Sequence, residues 1–167
     1  TYTWTVTRGT IGGGQGTHQV MIDWGAAGAG TLDLIETTAN NCSASAATFN
    51  VNIQALPAVF NVTGGGSFCH NLSGVEVGLG GSANGVNYQL LLNGNPVGTA
   101  VAGTGAAISF GLQTVGGTYT AKAIDAVSGC ESMMTGSATV IVIPGPSITT
   151  QPPHVATDEG TDAVFTV

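Results

Sequence analysis

The chain has 167 residues, of which two are basic and nine acidic, for a formal net charge of -7. So few cations exclude a positive footprint for phosphate backbones, and with it nucleic acid as a partner. The 27 glycines, abundant Thr, Ser, Val and Asn, and only 7% charged residues argue against helices: β-branched residues suit pleated strands, and Gly and Asn supply the positive-φ positions of tight turns.

Tyr2, Trp4 and Val6 alternate with Thr1, Thr3, Thr5 and Thr7, the period-2 pattern of a strand with one buried face. Gly12-Gly13-Gly14 and Gly16 predict a turn, and a second strand carries Val20, Ile22 and Trp24 on one face with Met21 and Asp23 on the other. Gly25 and the Gly28 to Gly30 stretch read as a flexible end to it. Leu32 and Leu34 start a third strand, Asn40-Asn41 turns the chain before Cys42, and Phe49, Val51 and Ile53 form a closing strand. Gln54 to Ala58 is linker-like.

Val59 to Thr63 opens a second unit, and Gly64-Gly65-Gly66 breaks it before Cys69. The inward faces that follow are Val75, Val77 and Leu79; Tyr88, Leu90 and Leu92; Ile108, Phe110 and Leu112; Tyr119, Ala121 and Ala123; and Val140 and Val142. Asn93-Gly94-Asn95-Pro96 is a turn in which Asn-Gly is a strong hairpin signal. Short strands spaced about ten residues apart predict an all-β chain of Greek-key sandwiches. Trp4, Trp24, Leu90, Leu92, Phe110 and Tyr119 are the expected core.

Laid on itself with an offset of 88, the chain sets Cys42 on Cys130 (130 − 42 = 88), Tyr2 and Trp4 on Leu90 and Leu92, and Phe60 on Ile148. Val20, Ile22 and Trp24 meet Ile108, Phe110 and Leu112, and Val75, Val77 and Leu79 meet Ala163, Phe165 and Val167. Leu32 and Leu34 need a one-residue slip to meet Tyr119 and Ala121. This is a domain-sized repeat, with boundaries at 1–55 for the end of a first module, 56–143 for a complete second and 144–167 for the opening strands of a third. The natural chain is expected to extend in both directions, because the counterparts of Val59 through Tyr88 in the first module would precede Thr1. The three cysteines follow the same logic: Cys69 pairs with Cys130 inside the second module, and Cys42 is unpaired in this window. Three free, buried thiols are the alternative.

Tyr2-Thr3-Trp4-Thr5-Val6, Gly14-Gln15-Gly16-Thr17 and Val20-Met21-Ile22-Asp23-Trp24-Gly25 resemble the PKD-like and immunoglobulin-like tandem repeats of large Bacteroidota surface proteins, including gliding-motility adhesins and other cargo of the type IX secretion system. Gly85-Val86-Asn87-Tyr88-Gln89-Leu90-Leu91-Leu92-Asn93-Gly94, with Gly117-Thr118-Tyr119-Thr120 and Ser128-Gly129-Cys130, looks like another such repeat. Pro146-Ser147-Ile148-Thr149-Thr150-Gln151-Pro152 resembles the opening strand of an immunoglobulin-like module, and Glu159-Gly160-Thr161 the turn into its second strand. Thr157 stands where Cys69 stands one repeat earlier, a departure that puts the third module's disulfide in doubt. The resemblance implies an extracellular or cell-surface location.

No chemical signature rises above this background. Trp4 and Trp24 would need exposed, adjacent neighbours to form a carbohydrate platform. His18, His70 and His154 fall in different modules, no nucleophile has an evident base, and no Cys/His pattern suits a metal. No catalytic or metal residue is expected, and hence no enzyme. Asp158, Glu159 and Asp162, with Asp23 and Asp33, are the groups from which calcium ligands would come, but the D-x-[DN]-x-[DN]-G loop is missing and no cofactor is expected. Asn41-Cys42-Ser43, Asn61-Val62-Thr63 and Asn71-Leu72-Ser73 match the glycosylation sequon, which carries little meaning in a bacterial setting. No apolar run is long enough for a membrane span. The expectation is a structural stalk or fibre region of an adhesin-like protein whose partners are neighbouring modules, with surface polysaccharide or abiotic surfaces met through other domains. The alternatives are a polysaccharide-binding sandwich module or a strand-donating, self-assembling fibre subunit.

Overall fold

The computed structural model describes residues 1–44, 46–150, 154 and 156–165. Those residues form strands, turns and extended connections; among them no helix is long and apolar enough to cross a membrane.

The first unit has five strands: β1 (Tyr2–Val6), β2 (Gly9–Gly13), β3 (Met21–Trp24), β4 (Gly28–Glu36) and β5 (Ala47–Ile53). β4 lies between β1 and β5 in an antiparallel sheet, while β2 and β3 pair only with each other. The Gly28 to Gly30 stretch is the start of β4 rather than a flexible connection. A Cβ at Gly30 would sit 3.0 Å from the Trp24 ring and 3.1 Å from the Thr7 carbonyl oxygen. Glycine is present because another backbone and a ring approach closely, and that contact fixes the chain.

The second unit contains β6 (Val62–Gly64), β7 (Gly66–Cys69), β8 (Val75–Leu79), β9 (Val86–Leu92), β10 (Asn95–Ala102), β11 (Ile108–Gln113), β12 (Gly117–Asp125), β13 (Glu131–Met133) and β14 (Ala138–Ile143). One sheet runs β10-β9-β12-β14-β7, with β13 on the far end of β12, and the other runs β11-β8-β6. All pairings are antiparallel except β7 with β14, which run parallel from Val140↔Gly66 to Ile143↔Cys69. The Asn-Gly hairpin joins β9 to β10, with Asn93 at φ 49 and Gly94 at φ 85, the two positive values that a type I′ turn requires.

Both sheets contribute to one interior. Leu79 and Ile108 of the small sheet meet Val86, Tyr88, Ala121 and Ala123 of the large one, together with Met134. Val77 meets Phe68, Leu90, Tyr119, Ala138 and Val140. This is sandwich-like packing, in which each sheet covers the apolar face of the other. Tyr88 and Tyr119 are buried to 0% and 1% exposure, and both hydroxyls find partners, as buried phenols must. Tyr88 Oη accepts the Ala83 amide at 2.9 Å, and Tyr119 Oη donates to the Val115 carbonyl at 2.8 Å. Phe60 meets the Tyr88 ring edge-on at 6.4 Å.

Of the six side chains expected in a core, Leu90 and Tyr119 are buried, whereas Trp4, Trp24, Leu92 and Phe110 are half-buried. Leu92 and Phe110 flank the interior. Trp4 and Trp24 belong to the first unit, where Gly30 alone is fully buried among the described residues of β1 to β5. Leu112, expected to face inward, is 56% exposed. The β11–β8 register shifts between Ser109 and Leu112, and Gly111 takes φ 79. That bulge reverses which face later residues occupy.

The two units share a strand order: β1-β4-β5 in the first and β9-β12-β14 in the second. The facing pairs Val6↔Leu32 and Trp4↔Leu34 match Leu92↔Tyr119 and Leu90↔Ala121 when Val6 is set on Leu92 and Leu32 on Tyr119. The offsets are then 86 for β1 (92 − 6) and 87 for β4 (119 − 32), so a uniform 88 slides Trp4 one side-chain pair too far. Past Ile143 no strand forms among the described residues, and Ile148, Val164 and Phe165 are exposed. Gln151, Pro152 and Val167, which carried part of the expected third-module strands, lie outside the described residues.

The uneven burial makes a stability prediction. Leu79→Ala, at a site 1% exposed, should destabilise the second unit by about 2–5 kcal/mol. Phe49→Ala, at 51% exposure on β5, should stay within about 0.5 kcal/mol. Urea unfolding followed by Tyr fluorescence and circular dichroism measures both.

Candidate functional site

The most elaborately bonded surface feature is the connection between β2 and β3. Gly14 and Gly16 take φ 84 and 87, and the β-carbon that Gly14 lacks would overlap the Gln19 carbonyl. The loop so formed folds over β1. Gln15 brackets the Trp4 peptide, accepting its N–H at 2.8 Å and donating to its carbonyl at 2.9 Å. The Trp4 indole N–H donates to the Thr17 carbonyl at 3.0 Å, and the Thr17 hydroxyl lies 2.8 Å and 2.7 Å from the Gly14 and Gln19 carbonyls. Gly14-Gln15-Gly16-Thr17, read in the sequence only as a turn and a resemblance, is thus a side-chain clamp on the first strand. Its signal was the Gln between glycines, a residue able to mimic a peptide group's donor and acceptor.

An open groove of about 710 Å³ runs beside this clamp, lined by Gly12, Gly13, Gly14, Thr17, His18, Gln19, Val20 and Met21. His18 is its only ionisable group, and neither a carboxylate nor a nucleophile converges on it. The groove therefore has no acid–base pair. Trp4 and Trp24 are half-buried and do not stack on each other; the aromatic pair in contact is Phe60 with Tyr88.

The expected Cys69–Cys130 disulfide does not form: Cys42, Cys69 and Cys130 are all free, the first two exposed and the third half-buried. Strand geometry explains the correction. Cys69 faces Ile143, beyond the end of β12 where Gly117 faces Val140. The Cys130 carbonyl accepts the Asp125 amide at the other end of β12. Eight residues of strand separate Gly117 from Asp125, roughly 26 Å at strand rise, whereas a disulfide needs Cα atoms within about 7 Å.

Cys130 follows a turn held by Asp125, whose Oδ1 accepts the Ser128 amide at 2.7 Å, the Ser128 hydroxyl at 2.9 Å and the Val127 amide at 3.0 Å. The Ser128 amide, then its hydroxyl, then the Val127 amide hold this carboxyl below its ordinary pKa. Nearby, Lys122 pairs with Glu131 at 2.9 Å; both are partly exposed, so the pair adds little stability. Burial pushes the Tyr119 phenol up.

His18, His70 and His154 stay in separate segments, and among the described residues no three His, Cys, Asp or Glu side chains group to hold a metal. Asp158 belongs to a turn in which its carbonyl accepts the Thr161 amide at 3.2 Å. No protein-family model matches the chain, and no curated protein matches it.

Two outcomes follow from these side chains. Because the thiols are free, Cys42 and Cys69 should react with a thiol reagent in the folded protein, Cys130 more slowly, and a reductant should leave the melting temperature unchanged. A reductant-dependent melting temperature would restore the disulfide. Asp125 has a depressed folded pKa, so its stabilisation is present above the ordinary carboxylate value of about 3.9 and is lost as pH falls through the lower folded value. Asp125→Asn should accordingly lower the melting temperature at neutral pH and match the wild type in strong acid, a convergence that thermal scans across pH will show.

Proposed function

We propose that this chain is a structural stretch of a larger extracellular protein, a stalk or fibre of tandem immunoglobulin-like, Greek-key sandwich units at a bacterial surface that carries adhesive domains at a distance. The observation that supports the reading most is the shared order β1-β4-β5 and β9-β12-β14, joined to a sequence period close to 88 residues. The resemblance to PKD-like repeats of Bacteroidota adhesins and type IX secretion cargo points the same way. The function is mechanical and non-enzymatic, and neighbouring units are the partners.

The physical requirements of a stalk are simple. Each unit must bury its own core so that loss of one leaves the next intact, and the second unit buries both of its clusters without help from β1 to β5. Connections must be short and stiff: Gln54 to Ala58 contains Pro57, and Ile143-Pro144-Gly145-Pro146 fixes φ at two of four positions. With strands of up to nine residues, a unit measures roughly 25 to 35 Å along its long axis.

Polypeptides of increasing numbers of residues 56–143 in tandem test this directly. Small-angle scattering should show a maximum dimension that grows by about 25 to 35 Å per copy. Collapse to a compact particle, or saturable binding of one unit to a polysaccharide, would overturn the stalk reading.

A further inference from the structure

We infer that the segment after Pro146 of one copy completes the first unit of a second copy, so that this polypeptide assembles head to tail. The inference rests on the repeat reading above, and it arises because the two ends of the chain carry complementary parts of one unit.

In the second unit, β8 covers β11 and half of the core. The first unit has β3 at the place of β11, since Val20, Ile22 and Trp24 align with Ile108, Phe110 and Leu112. It has no counterpart of β6, β7 or β8 among its strands, and the outer edge of β3 is unpaired. The consequence is visible in its side chains: Met21 is 68% exposed and Phe49 51%, and Trp4, Trp24, Leu32 and Val51 are only half-buried. An open strand edge beside apolar surface is a template for another strand.

The far end of the chain holds what is missing. At the offset of 88, Ala163 and Phe165 correspond to Val75 and Val77 of β8, and Ile148 to Phe60. Val77 is completely buried, whereas Ile148, Val164 and Phe165 are 75%, 81% and 62% exposed. Joined, the two ends supply counterparts of 56–79 and of 89–143; the gap falls almost wholly in the surface connection from Gly80 to Gly85 between β8 and β9, where a chain break costs little packing.

The register follows from the β8–β11 ladder. Glu76 faces Leu112 and Val75 faces Gln113, so Val164 of one copy lies opposite Trp24 of the next, and Ala163 opposite Gly25. Phe165 then takes the place of Val77, over Trp4 and Leu32. Charge agrees with this arrangement. The Gly25 amide donates to the Arg8 carbonyl at 2.7 Å, which brings Arg8 beside the position of Asp162. The Arg8 guanidinium donates to the Ala27 carbonyl at 3.2 Å and meets no carboxylate among the described residues. Because donor and acceptor surfaces differ, each copy offers one of each, and growth is open-ended rather than stopping at a dimer.

Sedimentation velocity and negative-stain imaging of the 167-residue protein over a dilution series test the inference. Linear oligomers that lengthen with concentration are expected, and a monomer at every concentration overturns it. Phe165→Asp, an exposed site whose change leaves the second unit folded, should raise the concentration needed for assembly at least about tenfold. Arg8→Glu and Asp162→Arg should each weaken assembly by up to about fivefold and together restore it. Oligomers indifferent to Phe165→Asp would place the interface elsewhere and overturn the joint. Tandem copies of 56–143 that stay extended while this chain stays monomeric would remove the joint and leave the stalk reading standing.

Discussion

A β-sheet can withdraw an apolar face from water only against a second layer, and the rest of this structure depends on where that second layer exists. In the second unit it does: Val77, Leu79 and Ile108 of the small sheet close over Tyr88, Leu90, Tyr119 and Ala121 of the large one. The two buried tyrosines fix the arrangement further, because each needs a particular backbone partner for its hydroxyl. In the first unit the layer is partial, and the same kinds of side chain remain half-exposed although their alternation in sequence is as regular.

That contrast accounts for what was legible in the sequence. Period-2 alternation located β1, β3, β5, β8, β9, β12 and β14, and Asn93-Gly94 marked its hairpin, because pleat geometry and turn sterics are local. Burial is not local. Trp4 and Trp24 have the alternation of core residues, yet nothing in their own strands states whether an opposing sheet is present. The strand β10 was missed because its register shifts between Val97 and Val101, which spoils the alternation, and β13 because three residues carry no period. The misplaced disulfide has a similar origin. Separation along the chain says nothing about position along a strand, and a pair of cysteines framing a unit turns out to lie near opposite ends of one sheet.

The repeat was legible as a period but not as a register. A constant offset aligned composition, while the ladders show offsets of 86 and 87 in β1 and β4, differences that bulges and loop lengths absorb between strands. The clamp of Gln15 on Trp4 was hidden for another reason: it joins a loop to a strand eleven residues away through one amide side chain, with no hydrophobic pattern to announce it. Within this scheme chemistry is sparse by construction. Polar side chains serve turns and edges, as Asp125 and Ser82 do, and none converge on a reactive centre.

Amide hydrogen exchange of the monomer, in dilute solution, tests the central claim that the second unit is closed and the first is not. Amides of β8, β9 and β12 should share one high protection, set by global unfolding of the second unit, while the β3 amides directed away from β2 exchange through small local fluctuations. Equal protection of β3 and β9 in the monomer would contradict the account, since it would mean that the first unit closes over its apolar face alone.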